Sequence, residues 1–128
     1  QLQIIKKLVE LKGIPVEIVG CPIVREPTGL AMSSRNEQLS KSTRKEAAFI
    51  YQTLKAAKKR FGTKSAQNVI DWVTKQFKKQ KNLKLEYIEI TDAETLAPIE
   101  RKLKKRKYRA FVAVYADDVR LIDNIALN

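Results

Sequence analysis

The stretch YRAFVAVYADDVRLIDNIA, residues 108–126, decides the fold of this sequence. Residues 108–115 and 119–126 are rich in β-branched and aromatic side chains, which favour strands. Ala116, Asp117 and Asp118 lie between the two runs, and so short a connection joins strands only as an antiparallel hairpin. The stretch therefore predicts two neighbouring antiparallel strands at the end of the chain.

Two helices are predicted in the middle of the chain. Ser40 is a candidate N-cap for the first, which ends at Gly62, and Ser65 is a candidate N-cap for the second. Each serine is followed by apolar residues at helical spacing, which is typical of the core side of a helix. Tyr51 and Trp72 are expected at the border of that core. The apolar positions are Ala47, Ile50, Leu54, Ala57 and Phe61, then Ala66, Val69, Ile70, Val73 and Phe77.

A third strand is predicted over residues 84–90, which are again rich in β-branched and aromatic side chains. Thr91 and Asp92 are expected to turn the chain. Residues 94–107 then predict a polar connection with a helical turn near Leu96. Residues 40–128 therefore predict an α+β fold in which two helices pack on a small antiparallel sheet of about three strands.

The first 24 residues predict a different kind of structure. Residues 2–12 indicate a helix that ends at Gly13, and its apolar residues spread over more than one narrow stripe. Residues 15–20 indicate a short strand of the kind buried in parallel sheets. A helix leading into a buried strand is the second half of a βαβ unit. Residues 1–24 are therefore expected to be the last helix and strand of a truncated Rossmann-like α/β domain, and the chain a fragment.

The composition bounds the class of protein. The 128 residues fit one domain, and a hydrophobic content of 44% is that of an ordinary globular protein. No apolar run approaches the roughly 20 residues of a membrane span, and no signal segment opens the chain. A cytoplasmic protein without a membrane partner is therefore expected. The lone cysteine, Cys21, cannot form an internal disulfide and is expected to be a small buried filler.

The charged and titratable residues exclude several chemistries. No histidine is present, which excludes an imidazole base, a Ser-His-Asp triad and a histidine-based metal site, and no metal site is predicted among the acids. The net charge of +12, from 26 Lys and Arg against 14 Asp and Glu, favours polyanionic partners. The excess is concentrated in three basic runs, residues 55–60, 78–81 and 101–107. Solvated helix faces and a loop account for these runs most simply, but a basic nucleic-acid-binding module stays open as an alternative, although few aromatic residues lie near them.

The segment REPTGLAMSSRN, residues 25–36, carries the densest polar chemistry of the chain. Ser33 and Ser34 supply hydroxyl donors, Arg35 supplies a fork of N–H donors, and the small residues before them let backbone amides come close. Such a row suits a phosphate. The same pattern is also typical of an ordinary loop followed by a serine N-cap, so local chemistry leaves both interpretations open.

Two strings of the sequence resemble the pantoate–β-alanine ligase (pantothenate synthetase) family. They are PIVREPTGLAMSSRN, residues 22–36, followed by Leu39, Ser40 and Arg44, and RLIDN, residues 120–124. The resemblance covers essentially the whole chain. It implies an ATP-dependent ligase in which the carboxylate of pantoate attacks the α-phosphorus of ATP, giving pantoyl adenylate and pyrophosphate. The amine of β-alanine then displaces AMP and forms pantothenate.

The resemblance also implies a nucleotide site. Ser33, Ser34 and Arg35 would hold the triphosphate and act catalytically, by stabilising the charge that builds on the departing pyrophosphate. Backbone groups of Val24 and Met32 would hydrogen-bond the adenine ring. ATP would be a substrate, and Mg²⁺ is expected from its chemistry but bound mainly outside this chain.

Other residues receive more indirect roles from the resemblance. Gln1 matches the last glutamine of the family's Lys-Asp-x-Gln-Gln run and would bind pantoate. Arg25 and Asn36 are expected to position the loop rather than to touch a ligand. Residues 120–124 are expected to fix the final strand against the sheet.

The resemblance implies a domain organisation and shows departures from the family pattern. Residues 1–24 would end a nucleotidyltransferase-type Rossmann domain, residues 25–39 would form the ATP-binding loop and interdomain connection, and residues 40–128 would form the C-terminal domain. The full-length enzyme would be a homodimer. Thr28 stands where the family usually has Asp, and the family's His-x-Gly-His signature is missing, so this chain alone is predicted to be inactive.

Overall fold

A computed structural model describes all 128 residues and contains four α-helices, one 3₁₀ helix and three strands. The helices are α1 (Leu2–Lys12), the 3₁₀ helix (Ser34–Gln38), α2 (Lys41–Glu46), α3 (Ala48–Phe61) and α4 (Ala66–Phe77), and the strands are β1 (Leu83–Asp92), β2 (Tyr108–Ala116) and β3 (Val119–Ala126). No helix combines the length and the apolarity that a membrane span would require.

The three strands form one antiparallel sheet in the order β1-β2-β3, so the predicted hairpin is confirmed. Its turn is two residues long, because Ala116 already pairs with Val119. Asp117 and Asp118 adopt positive φ angles of 45° and 60°, the combination that a type I′ hairpin turn requires. Aspartate tolerates this region better than most residues, since its short polar side chain bonds locally.

The helices α3 and α4 pack against one face of the sheet, which confirms the α+β class. Their apolar stripes meet the inward-facing residues of β2 in a single core, with Leu54 and Val112 each 1% exposed. Both predicted serine caps are formed, since the Oγ atoms of Ser40 and Ser65 accept N–H groups three residues on, each at 3.2 Å. Trp72 is half-buried against the core, as expected.

Two sequence predictions differ from the structure in their bounds. The first predicted helix is divided into α2 and α3 at Ala47, where the N–H of Ile50 bonds the carbonyl three residues back and tightens the turn. Strand β1 runs through Asp92 instead of turning at Thr91. The chain turns just afterwards, because Asp92 Oδ1 accepts the N–H groups of Glu94 and Thr95 at 2.9 and 3.0 Å.

The structure corrects two predictions for the first 24 residues. Helix α1 is formed and ends at Gly13, whose φ of 57° gives the expected left-handed cap, but none of its residues is buried. The predicted strand over residues 15–20 is not formed, because no neighbouring strand lies beside it to complete a hydrogen-bonded ladder. Cys21 is exposed on this extended segment and is not a buried filler.

A hydrogen-bonded carboxylate joins the β2–β3 turn to the start of α2. Asp117 accepts the backbone N–H of Ser40 at 3.0 Å and the hydroxyl of Thr43 at 2.9 Å. The N–H of Ser40 and the hydroxyl of Thr43 hold the pKa of Asp117 below its ordinary value. The turn of the sheet is thereby attached to the point where the loop of residues 25–39 ends.

This attachment predicts a pH-dependent stability. Because the pKa of Asp117 is lower in the folded state, its contribution to stability is present above the unfolded pKa of about 4 and is lost as the pH falls through the folded value. We expect Asp117→Asn to be less stable than the wild type at pH 6 and to lose less stability below about pH 4. Urea unfolding from pH 6 to pH 2.5 measures the difference, with Asp118→Asn as the matched control in the same turn. An unchanged pH profile in Asp117→Asn would exclude this role.

Candidate functional site

The segment that connects the first 24 residues to α2 is a closed loop. The N–H of Glu26 bonds the carbonyl of Leu30 at 2.8 Å, and the N–H of Met32 bonds the carbonyl of Val24 at 2.9 Å, so residues 24–32 form a narrow hairpin-like turn. Gly29 has a φ of 96°, which favours glycine, and an added Cβ would lie 2.8 Å from Tyr51 Cδ1. The glycine therefore permits both the turn and its close approach to α3.

Thr28 occupies the turn position at which the resemblance implies an aspartate. Its Oγ1 accepts the N–H of Leu30 at 3.5 Å, the outer limit of a hydrogen bond. The turn itself is closed by the N–H of Gly29, which bonds the carbonyl of Glu26 at 2.8 Å. The loop therefore keeps its shape without a carboxylate at this position.

An ion pair fastens this loop to the last strand. The guanidinium of Arg25 donates to both carboxylate oxygens of Asp123, at 2.6 and 3.0 Å, and to the carbonyl of Gly29 at 3.0 Å. The Asp123 side chain is 3% exposed and lies on the core face of β3, in register with Val112. Arg25 is thus engaged inside the fold and has little freedom to reach a ligand.

A second ion pair fastens the loop to α2. Arg44 bonds Glu26 within the loop and also donates to Glu37 of the 3₁₀ helix at 3.2 Å. The hydrogen bond with Glu26 raises the pKa of Arg44 above its already high ordinary value, so this guanidinium stays charged throughout the accessible range. Arg25 and Glu26, the two charged residues at the start of the loop, are therefore each paired within the fold.

The residues predicted to hold phosphate lie just after the closed turn. Ser33 caps the 3₁₀ helix, since its Oγ accepts the N–H of Arg35 at 3.2 Å, so the N-cap interpretation holds for this serine. Ser34 is exposed, and its hydroxyl has no hydrogen-bond partner within the chain. Arg35 is also exposed and donates one N–H to the backbone carbonyl of Arg120 at 3.1 Å. Several donors of Ser34 and Arg35 therefore remain available.

A groove of about 340 Å³ separates this segment from the edge of strand β3. One wall is formed by residues 30–33, 35 and 36, and the other by residues 120–123. Ile50 lies between the two walls. Arg35 brings positive charge to the groove, whereas Arg120 is paired with Glu86 at 2.6 Å and Asp123 is paired with Arg25. An open groove with exposed hydroxyl and guanidinium donors suits an anionic ligand.

Asn36 is buried in the wall of this groove. Its Nδ2 donates to the carbonyl of Ala31 at 3.0 Å, which holds the two ends of residues 31–36 together. Its Oδ1 is buried and has no hydrogen-bond partner within the chain. The contact with Ala31 is the kind of loop positioning that the sequence predicted for Asn36.

The groups predicted to bind adenine and pantoate do not all line this groove. The N–H of Met32 donates to the carbonyl of Val24. The N–H of Val24 and the carbonyl of Met32 have no partners, so one donor and one acceptor remain free on the same turn. Met32 lines the groove and is 61% exposed, whereas Val24 does not line it. Gln1 is exposed at the start of α1 and is also not part of the groove.

Sequence reasoning missed the supports of the loop, Asp123 and Tyr51. The guanidinium carbon of Arg25 lies 3.6 Å from the centre of the Tyr51 ring, which was predicted only as a border of the core. Asp123 follows Leu121 and precedes Ile125 at the inward positions of a strand. A carboxylate at an inward position requires a buried cation, and that alternation was the signal available in the sequence.

The arrangement places a loop with free hydroxyl and guanidinium donors on an α+β unit, and the comparisons with known proteins give this unit a family. Residues 1–126 match the pantoate-beta-alanine ligase family, so the chain belongs to that family, and the resemblance seen in the sequence is confirmed. The pantothenate synthetase of Christiangramia forsetii is 62% identical over 128 residues, which is 100% of this chain and 45% of that protein. The chain thus spans about half the length of the curated relatives it matches.

Solved structures support the same relationship. The crystal structure of pantothenate synthetase from Thermus thermophilus superposes with a TM-score of 0.88 at 35% identity, covering 98% of this chain and 45% of that one. A pantoate-beta-alanine ligase from Francisella tularensis, complexed with beta-gamma ATP and beta-alanine, gives a TM-score of 0.61 at 29% identity. It covers 99% of this chain and 40% of that chain.

Proposed function

We propose that this chain is part of a longer pantoate–β-alanine ligase, here called the complete enzyme, and contributes its triphosphate-binding loop and a lid-like domain. In that reaction the pantoate carboxylate attacks the α-phosphorus of ATP, and pyrophosphate leaves. The amine of β-alanine then attacks the acyl carbon of pantoyl adenylate and displaces AMP. The observation that carries the proposal is the groove lined by Ser33 and Arg35 in a chain of this family.

The proposed role of Ser33, Ser34 and Arg35 is electrostatic. As the α-phosphorus accepts the carboxylate oxygen, negative charge builds on the bridging oxygen of the departing pyrophosphate. Fixed hydroxyl and guanidinium donors stabilise that charge without transferring a proton. Arg35 keeps N–H groups free for this purpose because only one is bonded to the carbonyl of Arg120. These are the residues to which we assign the chemistry.

The proposed adenine contact uses the free backbone groups of the closed turn. The Met32 carbonyl would accept from the exocyclic amine, and the Val24 N–H would donate to a ring nitrogen. Both groups are unpartnered in this chain, which supports the assignment. The lid domain would close over the nucleotide and exclude water from a labile acyl adenylate.

Mg²⁺ does not fit the groove of this chain. Asp123, the only carboxylate that lines the groove, is bonded by Arg25 and is not free to hold a metal ion. We therefore assign no step to a metal here, and any Mg²⁺ that accompanies ATP would be bound mainly outside this chain. The binding of pantoate by Gln1, the homodimer and the cytoplasmic location remain proposals for the complete enzyme.

The nucleic-acid-binding alternative gains no support from the structure. Single-strand binding would need free aromatic rings beside the basic runs to stack bases. The exposed rings of Tyr87 and Tyr115 lie on strands β1 and β2, outside those runs. Trp72, the only tryptophan, packs against the core, and the guanidinium carbon of Arg60 lies 5.4 Å from its ring centre. The ring is therefore already in use within the fold.

The proposal predicts the products of the complete enzyme. Incubated with ATP, pantoate and β-alanine, it should release pantothenate, AMP and pyrophosphate in equal amounts, as measured by mass spectrometry. The 128-residue chain alone should release none, because the family's His-x-Gly-His signature is absent from it. Products such as ADP and phosphate would contradict the reaction class. Turnover by the chain alone would contradict the prediction that it is inactive without the rest of the enzyme.

A further inference from the structure

We infer that Arg25 and Asp123 are positioning residues: their buried ion pair holds the loop that carries Ser33–Arg35 in one shape at the edge of the sheet. The inference rests on the proposed function only where it concerns the effect of this ion pair on ATP binding. Its structural part, the bracing of the loop, is independent of what the loop binds. We refer to Arg25, Asp123 and Tyr51 as the brace.

The ion pair has the geometry and burial of a specific contact. Both terminal nitrogens of Arg25 bond the two oxygens of Asp123, and the side chains are 17% and 3% exposed. Asp123 Oδ1 also accepts the N–H of Asn124 at 2.7 Å, so the carboxylate itself is fixed. Removing one member of such a pair leaves the other charge buried and unpaired, which is strongly unfavourable.

Arg25 also closes the turn that precedes the serines. It donates to the carbonyl of Gly29, four residues further on, and so joins the two sides of the turn. The face of its guanidinium lies on the Tyr51 ring, and Gly29 lies close to the same ring. The brace therefore connects the turn to strand β3 and to helix α3 at once.

The end of the loop depends on the same strand. Arg35 is bonded to the carbonyl of Arg120, three residues before Asp123 along β3. Asn36 is bonded to Ala31 and keeps the intervening residues compact. Ser33 and Ser34 thus lie between two attachments to one rigid strand, and loosening the first attachment should free them.

Hydrogen exchange of the ligand-free chain tests the bracing directly. The amides of Glu26, Met32 and Asn36 are hydrogen-bonded within the loop. In Asp123→Asn, which keeps the shape of the side chain but not its charge, we expect these amides to exchange at least about tenfold faster. Exchange at Val73, buried in α4, should rise by a smaller factor than at the loop amides, which would show that the loop opens locally while the domain remains folded. Asp118→Asn, the same substitution in the exposed β2–β3 turn, is the matched control.

Arg25→Lys provides a second variant in case Asp123→Asn fails to fold. It keeps a positive charge beside Asp123 but lacks the planar fork that bonds two oxygens and Gly29 together. A larger rise in exchange at the loop amides than at Val73, in either folded variant, supports the brace. Unchanged exchange at these amides overturns it, and equally raised exchange in the loop and at Val73 also overturns it, because the pair would then be merely structural.

Equilibrium binding of ATP to the complete enzyme tests the consequence. We expect the dissociation constant for ATP to rise at least about tenfold in the brace variants, with that for β-alanine changed less than about twofold. A loosened loop with wild-type ATP affinity would overturn the positioning role. If the wild-type enzyme binds no ATP, the proposed function fails, while the exchange measurement still decides whether the brace exists.

Discussion

Replacing Arg35 by alanine in the complete enzyme is expected to slow formation of pantoyl adenylate by about 100-fold or more. Loss of one fixed donor to a developing negative charge has effects of about 10²- to 10³-fold in other enzymes. Because the charge on pyrophosphate develops during bond breaking, the loss should fall on kcat, with a smaller change in the KM for ATP. Pantoate-dependent release of pyrophosphate in single turnover measures this step.

The fold should tolerate this substitution. The Arg35 side chain is exposed, and its hydrogen bond to the Arg120 carbonyl is its only bond within the chain, so unfolding should shift by less than about 0.5 kcal/mol. Lys45→Ala removes an exposed positive charge from α2 and is the matched control for net charge. Equal rates in the wild type and Arg35→Ala would remove Arg35 from the chemistry, and equal losses in both variants would reduce its role to general electrostatics.

Replacing Leu54 by alanine is expected to destabilise the 128-residue chain by about 3 kcal/mol. Leu54 lies in α3 at the centre of the core and is 1% exposed, so truncation leaves a cavity that the packed neighbours fill only in part. Urea unfolding followed by circular dichroism measures the loss. Leu103→Ala is the matched control, because Leu103 is 48% exposed and the same truncation there should cost less than about 0.5 kcal/mol. Similar losses in both variants would contradict the assigned core.

The elements of residues 40–128 could be predicted because local and tertiary preferences agree there. The two serine caps, the stripes around Leu54 and Val73 and the Asp117–Asp118 turn each indicate the structure that the core also favours. The break at Ala47 could not be predicted, since alanine is the best helix former and carries no local signal for a break. The strand expected over residues 15–20 depended on partners that this chain does not contain.

The candidate site likewise contains residues that the sequence could predict and residues that it could not. Ser33, Ser34 and Arg35 could be named from the sequence because hydroxyl and guanidinium donors in a row carry their own chemistry. Asp123 lies 98 positions from Arg25, so no local pattern joins them, and only the register of β3 brings the carboxylate beneath the loop. The use of the Met32 N–H by Val24 likewise follows from the closed turn and not from residue types.

Limited trypsin digestion of the complete enzyme tests most directly the claim that residues 24–36 hold the nucleotide. Trypsin cleaves after Arg35, which is exposed, and after Lys104 and Lys105 in the exposed connection between β1 and β2. Saturating ATP is expected to slow cleavage after Arg35 by about tenfold or more while cleavage at Lys104 and Lys105 proceeds unchanged. Equal cleavage after Arg35 with and without ATP would contradict the assignment of this loop.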